Sequence, residues 1–269
     1  MIIDLQGKIA IVTGAGAGIG REILRTLAQE GAIVIGLDAR QNVLTELDGE
    51  YAANGWKGMT AVCDVRDFAG IEKLVSEVVS RFGSIDILVN NAGVAGGAAV
   101  EVLSEETWDL NQDINLKGVF LMCKAVIPTM KKQRSGRIIN AASFAAIVPS
   151  LYSAAYASSK AGVQSFTRVL AGELGPWEIT VNCYAPGMIP TQLNHFAEAA
   201  PEHQERLLDT LSLRRWGVPG DVANLICFLS SDLAGYITGT MVDVSGGKYA
   251  TQIPRIAYEK AAETGDYTF

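Results

Sequence analysis

Histidine and cysteine are scarce in this sequence, with two and four among 269 residues. Their placement excludes more than their number does. His195 and His203 fall outside any metal-binding spacing, so no catalytic metal is expected. Cys63, Cys123, Cys183 and Cys227 are far apart and form no CxxC pair. Buried free thiols are therefore expected rather than a disulfide framework or a zinc site. No apolar run reaches the length that spans a bilayer, and MIIDLQGKIAIVTG has no basic region followed by a long apolar stretch; a cytoplasmic protein with no membrane partner is expected. Positive charge is in deficit, 22 basic against 29 acidic residues for a net charge of −7. That balance disfavours a surface built to neutralise phosphate backbones, and no nucleic acid partner is expected. Internal repeats, low-complexity tracts and Pro/Ser-rich linkers are absent as well.

What is present describes a globular chain, 49% hydrophobic and 19% charged, with enough apolar side chains to offset its conformational entropy. Short β-branched runs at 8–14, 32–38, 59–65, 85–93, 136–143, 179–186 and 241–247 alternate with helical patterns at 18–30, 41–53, 67–82, 104–132, 155–174 and 219–230. The runs lack polar alternation, as strands covered on both faces do. The expected architecture is α/β: a single doubly wound Rossmann-type domain over 1–247, with a mostly parallel seven-stranded sheet. Residues 248–269 form an extension whose Tyr249, Ile253, Ile256 and Tyr258 give it apolar surface to dock with. Ligands bind beyond the carboxyl ends of the strands in such folds. The loops 94–103, 144–154 and 187–218 should therefore shape a substrate pocket, with Phe144, Ile147, Val148, Leu151, Tyr152 and Met188 giving it an apolar wall. His195, Phe196 and Trp216 are candidates for a lid; Arg214 and Arg215 are the loops' conspicuous cations and can also simply face solvent.

The first strand runs into Thr13-Gly14-Ala15-Gly16-Ala17-Gly18-Ile19-Gly20 and then into an amphipathic helix. Glycines there permit a tight turn and let backbone N–H groups and a helix N-terminus approach a pyrophosphate. Asp38 ends the second strand, where a carboxylate accepts hydrogen bonds from ribose hydroxyls and repels a 2′-phosphate, favouring NAD. Arg40, two residues on, is the one cation placed to turn toward such a phosphate. Asp64 reads, on its own, as the N-cap of the next helix, and Asn91-Ala92-Gly93 as a turn. Tyr156 and Lys160 lie one helical turn apart on a common face, and Ser143 closes the preceding strand. Hydride transfer to a carbonyl leaves negative charge on oxygen that must be protonated. A phenol is too weak an acid for this unless a nearby ammonium stabilises its anion, and a serine hydroxyl can support the developing charge. Asn115, by itself, is a polar residue in a helix, at a kink.

The glycine spacing, differing from the usual GxGxxG, resembles the TGxxxGxG loop of the short-chain dehydrogenase/reductase family, as do Ser143, Tyr156-Ala-Ser-Ser-Lys160, Asn115 in INLKG, and Pro186-Gly187-Met188-Ile189-Pro190-Thr191. The resemblance spans about 5–247. It implies an oxidoreductase with Asn115, Ser143, Tyr156 and Lys160 as catalytic residues. It further implies that Gly14, Gly18, Ile19, Gly20, Asp38, Asp64, Val65, Asn91, Ala92 and Gly93 bind NAD together with Tyr156 and Lys160. Asp64 would meet adenine, Asn115 a proton-relaying water, and Pro186, Gly187, the Ile189 backbone and the Thr191 hydroxyl the nicotinamide carboxamide. Homotetramers built on the helices near 104–132 and 155–174 are also implied. The expected substrate is a secondary alcohol, polyol or sugar, or the matching carbonyl. The alternatives are a 3-oxoacyl carrier-protein reductase, which MKKQRSGRIIN with Arg134 resembles although Trp177 and Glu178 depart from it, and a cofactor-binding regulator without turnover. An epimerase or dehydratase is disfavoured because the chain lacks the larger substrate region of those relatives.

Overall fold

Strands without polar alternation need cover on both faces, and the central ones here are buried along their whole length. In the computed structural model, which describes residues 3–268 apart from 192, 193 and 195, the seven strands are β1 (Ile9–Thr13), β2 (Ile33–Asp38), β3 (Gly58–Val62), β4 (Ile87–Asn90), β5 (Gly136–Ala141), β6 (Ile179–Pro186) and β7 (Met241–Val244). All pair in parallel, in the order β3-β2-β1-β4-β5-β6-β7. The chain winds outward from β1 to β3 and then returns to β1's other side. This opens a crevice between the carboxyl ends of β1 and β4, where such sheets bind ligands.

Helices α1 (Gly18–Gln29), α2 (Gln41–Asn54) and α8 (Pro219–Ser230) cover one face, with Ile23, Leu24, Leu27, Leu44, Leu47 and Ile226 in one core cluster. On the other face α3 (Phe68–Phe82), α5 (Gly118–Gln133) and α6 (Ala154–Leu174) bring Val75, Val78, Met122, Val126, Val163 and Leu170 into a second cluster. All four cysteines are buried and free, as their spacing implied.

Three features depart from the sequence reading. Asp67, not Asp64, caps α3, accepting from Gly70 N at 3.1 Å, whereas Asp64 pairs with Arg66 at 2.6 Å. The expected long helix over 104–132 is interrupted: α4 (Glu105–Gln112) passes through a wide π turn, Asp113–Lys117, before α5. The segments after β6 and β7 carry helices of their own, α7 (Pro201–Leu208) and α9 (Arg255–Glu263). The extension docks on its own chain, with Tyr258 Oη donating to Ser212 O at 2.6 Å and Arg255 meeting Asp209 at 2.6 Å. Among the described residues no helix is long and apolar enough to cross a membrane.

The covering layer lies close on the sheet at Gly36, where an added Cβ would stand 2.9 Å from both Leu24 Cδ1 and Leu47 Cδ2. Gly36→Ala is therefore expected to cost about 1–3 kcal/mol, seen in urea titrations as a lowered midpoint with an unchanged m-value.

Candidate active site

The turn from β1 to α1 is held open by glycine for steric reasons. Gly14 has φ +65° and a Cβ there would lie 2.9 Å from Ala92 Cα; at Gly20 it would lie 2.2 Å from Gly14 O. Gly18, φ +54°, begins α1 and faces Thr191, whose Cγ2 is 3.5 Å from where a Cβ would stand. A cleft of about 520 Å³ extends from this turn, lined by Gly14, Gly18 and Ile19 and by Asp38, Asp64 and Val65 at the ends of β2 and β3. Asp38 is buried and accepts from Gly16 N at 3.2 Å. The Arg40 guanidinium turns back onto it, Nε to Oδ1 at 3.0 Å, and this carboxylate raises the arginine's pKa.

At the crevice itself Thr13 Oγ1 accepts from Asn91 N and Ala92 N, each at 3.0 Å. Asn91 Nδ2 donates to Thr13 O at 3.1 Å, and Tyr184 Oη on β6 donates to Asn91 Oδ1 at 3.0 Å. Asn91, Ala92 and Gly93 line the cleft, as do Tyr156, Lys160, Pro186 and Thr191. Gly20 lies behind it as a spacer. Gly187 is pressed against Ser245, since a Cβ on it would stand 2.5 Å from Ser245 Cα. Ile189 is buried in the core; its N–H goes to Gly187 O at 3.1 Å and its carbonyl accepts from Asn194 at 2.7 Å. The structure thus brings Gly187 and Ile189 beside the cleft and not into its lining.

The Tyr156 and Lys160 side chains meet at the inner end. Lys160 Nζ is 5.8 Å from the Tyr156 ring centroid and donates to Ala141 O, at the end of β5, at 2.8 Å. Burial brings the ammonium down to about 8. It pushes the Tyr156 phenol up, while a hydrogen bond with Ser143 works the other way. Ser143 is buried and its hydroxyl accepts from Ala145 N at 3.1 Å. Asn115 sits in the π turn, fully buried. Its Oδ1 accepts from Val94 N at 2.8 Å, and its Nδ2 donates to Val94 O at 3.0 Å and Ser159 Oγ at 3.1 Å. Asn115 and Lys160 converge at Gly93, where a Cβ would lie 3.1 Å from the Asn115 oxygen and 3.5 Å from the Lys160 nitrogen. The arrangement can move a proton at the Tyr156 oxygen with a cation and a hydroxyl beside it.

Sequence reasoning missed Tyr184, Ala141 and Ala142 of the lining; these act through backbone or from distant strands, and no local motif marks them. The loop residues Ile147, Val148, Leu151 and Tyr152 are exposed, while Met188 is buried. The lid candidates Phe196 and Trp216 stack at 6.1 Å; His195 lies outside the described residues. Neither loop arginine is a bare solvent cation: Arg214 pairs with Glu205 and Asp209, and Arg215 with Asp221.

Lys160 yields a test. Its native value of about 8 lies below the ordinary 10.5, so between those pH values the unfolded chain holds a proton that the native chain does not, and stability rises with pH. The cost of burying the ammonium is fully present below pH 8. Denaturation of wild type and Lys160→Met should show the difference shifting in favour of the wild type from pH 8 to 10.5, by on the order of 2–3 kcal/mol.

The chain matches the short chain dehydrogenase family model over residues 8–202. It is 38% identical over 246 residues to the (2S)-[(R)-hydroxy(phenyl)methyl]succinyl-CoA dehydrogenase subunit BbsD of Thauera aromatica, covering 91% of this chain and 98% of that one. It is 41% identical over 244 residues to the 3-oxoacyl-acyl-carrier-protein reductase FabG of Thermotoga maritima, covering 90% and 98%. The crystal structure of levodione reductase superposes with a TM-score of 0.87 at 32% identity, covering 92% of this chain and 99% of that one. With the family's glycine turn, YxxxK pair and parallel sheet all in place, this chain belongs to the short-chain dehydrogenase/reductase family of oxidoreductases.

Proposed function

We propose that the protein moves a hydride between NAD(H) and a secondary alcohol, polyol or sugar, or the corresponding ketone, with residues 1–247 as its catalytic domain. The observation that carries this reading is the cleft that runs from Asp38 to Tyr156 and Lys160. Its glycine turn leaves the space that a dinucleotide's phosphates need. Gly14, Gly18, Ile19 and the start of α1 would hold the pyrophosphate. Asp64 and Val65 would flank adenine, and Asn91, Ala92, Gly93, Pro186, Gly187, the Ile189 backbone and Thr191 the remainder. Asp38 would accept from the ribose hydroxyls with the lone pairs that the half-exposed Arg40 now occupies. NAD, when bound, supplies or accepts the hydride.

The protein's own part is the proton. Tyr156 holds it at the phenol oxygen and gives it to the nascent alkoxide, or takes it from the alcohol. Lys160 stabilises the phenolate through its charge, and Ser143 donates to the substrate oxygen as charge develops. Asn115 fixes Val94 and the Gly93 backbone around the lysine and would hold a water on the relay.

Acyl-thioester reduction is the second reading, favoured by the names of the FabG and BbsD relatives and by the exposed apolar rim at Ile147, Val148 and Leu151. Docking of an acidic carrier protein is less well supported. Arg134 donates to Pro176 O at 3.2 Å, and Lys131 lies 3.8 Å over the Trp177 ring.

We also propose a homotetramer built on α4, α5 and α6, whose Trp108, Phe120 and Val169 expose apolar surface. Phe120→Arg should then lower the sedimenting mass, and an unchanged mass would remove this helix face from the assembly.

Turnover at the reduced-cofactor absorbance band, with a panel of alcohols, polyols, sugars and hydroxyacyl thioesters, tests the function. Tyr156→Phe is expected to lose about 10²–10⁴-fold in kcat while still binding NADH by fluorescence. Asp38→Ser should reduce the NAD-over-NADP preference in kcat/KM by about 10- to 100-fold. Cofactor binding without turnover of any compound would point instead to a regulator.

A further inference from the structure

The cations of the segments after β6 and β7 are almost all matched. Arg214 pairs with Glu205 and Asp209, Arg215 with Asp221, Arg255 with Asp209 and Glu259, and Lys260 with Glu263. Arg206 is exposed to water. Lys248, which follows the Gly246-Gly247 pair after β7, differs from all of these. It is partly buried, its ammonium donates to Thr210 Oγ1 at 2.5 Å, and no carboxylate pairs with it among the described residues. Of the nearby acids, Asp209 is shared by two arginines, and Asp243 accepts from Ser245 Oγ at 2.8 Å and makes no ion pair with Lys248. Withdrawing an ammonium from water without an anion is unfavourable, and burial lowers the lysine's pKa.

Its location narrows what that anion would be. Asp38 and Asp64 place the adenosine half of the cleft at the ends of β2 and β3, while Lys248 follows β7 at the opposite edge of the sheet. A cofactor phosphate at the start of α1 is therefore not its partner. Lys248 Nζ instead lies 5.9 Å from the centroid of Phe144, the residue next to Ser143. The Tyr249 ring packs on that same phenylalanine, with centroids 6.4 Å apart. The Tyr249 hydroxyl is buried with no hydrogen-bond partner among the described residues. One cation without an anion and one donor without an acceptor thus flank the side chain adjacent to the serine that borders Tyr156.

We propose that Lys248 binds a carboxylate of the substrate, so that within the alcohol and ketone class those that carry a carboxylate, hydroxy acids and oxo acids, are preferred over neutral ones. This rests on the dehydrogenase reading above. Thr210, just after α7, orients the ammonium; Phe144 and the Tyr249 ring exclude water from it; and the Tyr249 hydroxyl is the second donor for the same anion.

Calorimetric titration of the NADH complex with acetate through octanoate, and with the matching amides, tests the subsite without turnover. The best carboxylate should bind about 10- to 100-fold tighter than its amide. Lys248→Met should abolish that preference, Lys248→Arg should keep most of it, and amide affinity should stay constant. Equal affinities of acid and amide in the wild type, no carboxylate binding at all, or a preference that survives Lys248→Met would each overturn the proposal. A parallel assay with NAD and β-hydroxy acids against their amides separates this result from the underlying reading. Turnover without carboxylate preference removes the subsite and leaves the dehydrogenase; Lys248-dependent carboxylate binding without turnover of any substrate does the reverse.

Discussion

The molecule is organised around the hydrogen bonds that tie the carboxyl ends of β1, β4 and β6 together. A parallel sheet directs every strand end to one edge, but nothing in sheet geometry sets how far apart two diverging connections stand. Thr13, Asn91 and Tyr184 set that distance. The threonine hydroxyl takes two backbone N–H groups, the asparagine amide takes two backbone carbonyls, and the tyrosine holds the asparagine in orientation. The groups that the threonine and the asparagine amide satisfy are main-chain donors and acceptors. With this junction fixed, Gly14 can approach Ala92 closely, and the cleft acquires a rigid floor. Tyr156 and Lys160 are referred to the same floor through Ala141 and Gly93.

Much of this was legible in the sequence because it is local. Uninterrupted runs such as IAIVT and ILV mark strands buried on both faces. The position of Asp38 follows from the length of one βαβ unit, and Tyr156 and Lys160 share a helix. What stayed hidden depends on tertiary partners. The choice between Asp64 and Asp67 as helix cap turned on where the helix begins, at Phe68, which leaves Asp64 to pair with Arg66. The π turn at Asn115 has no local signature, and the side chain's role emerges only when Val94 and Ser159 are seen against it. Backbone acceptors such as Ala141 O carry no residue-type signal at all. Arg40 was rightly marked as a cation beside Asp38, but its direction, folded onto the carboxylate, is a matter of rotamer and not of spacing.

The region beyond β6 follows another logic. Its helix α7 and the closing helix α9 bury few side chains and are joined through charge, Arg255 and Arg214 converging on Asp209, with Tyr258 seated on the Ser212 carbonyl. Neither helix has a fully buried side chain, so the wall of the pocket is held less firmly than its floor. A rigid proton-transfer group under a softer cover suits chemistry in which the small reacting centre is constant and the bulk of the substrate must enter and leave.

The π turn at Asp113–Lys117 reaches beyond the asparagine it carries. A helix turns by about 100° per residue, so one residue accommodated in a widened turn rotates everything after it by that angle. The inward stripe of Val119, Met122, Val126 and Met130 and the outward Phe120 are in phase with the rest of the molecule only because that extra residue is counted. The chain between Trp108 and Met122 is therefore closed to single-residue insertion or deletion. Its length, and not only its side chains, is a property of the active site.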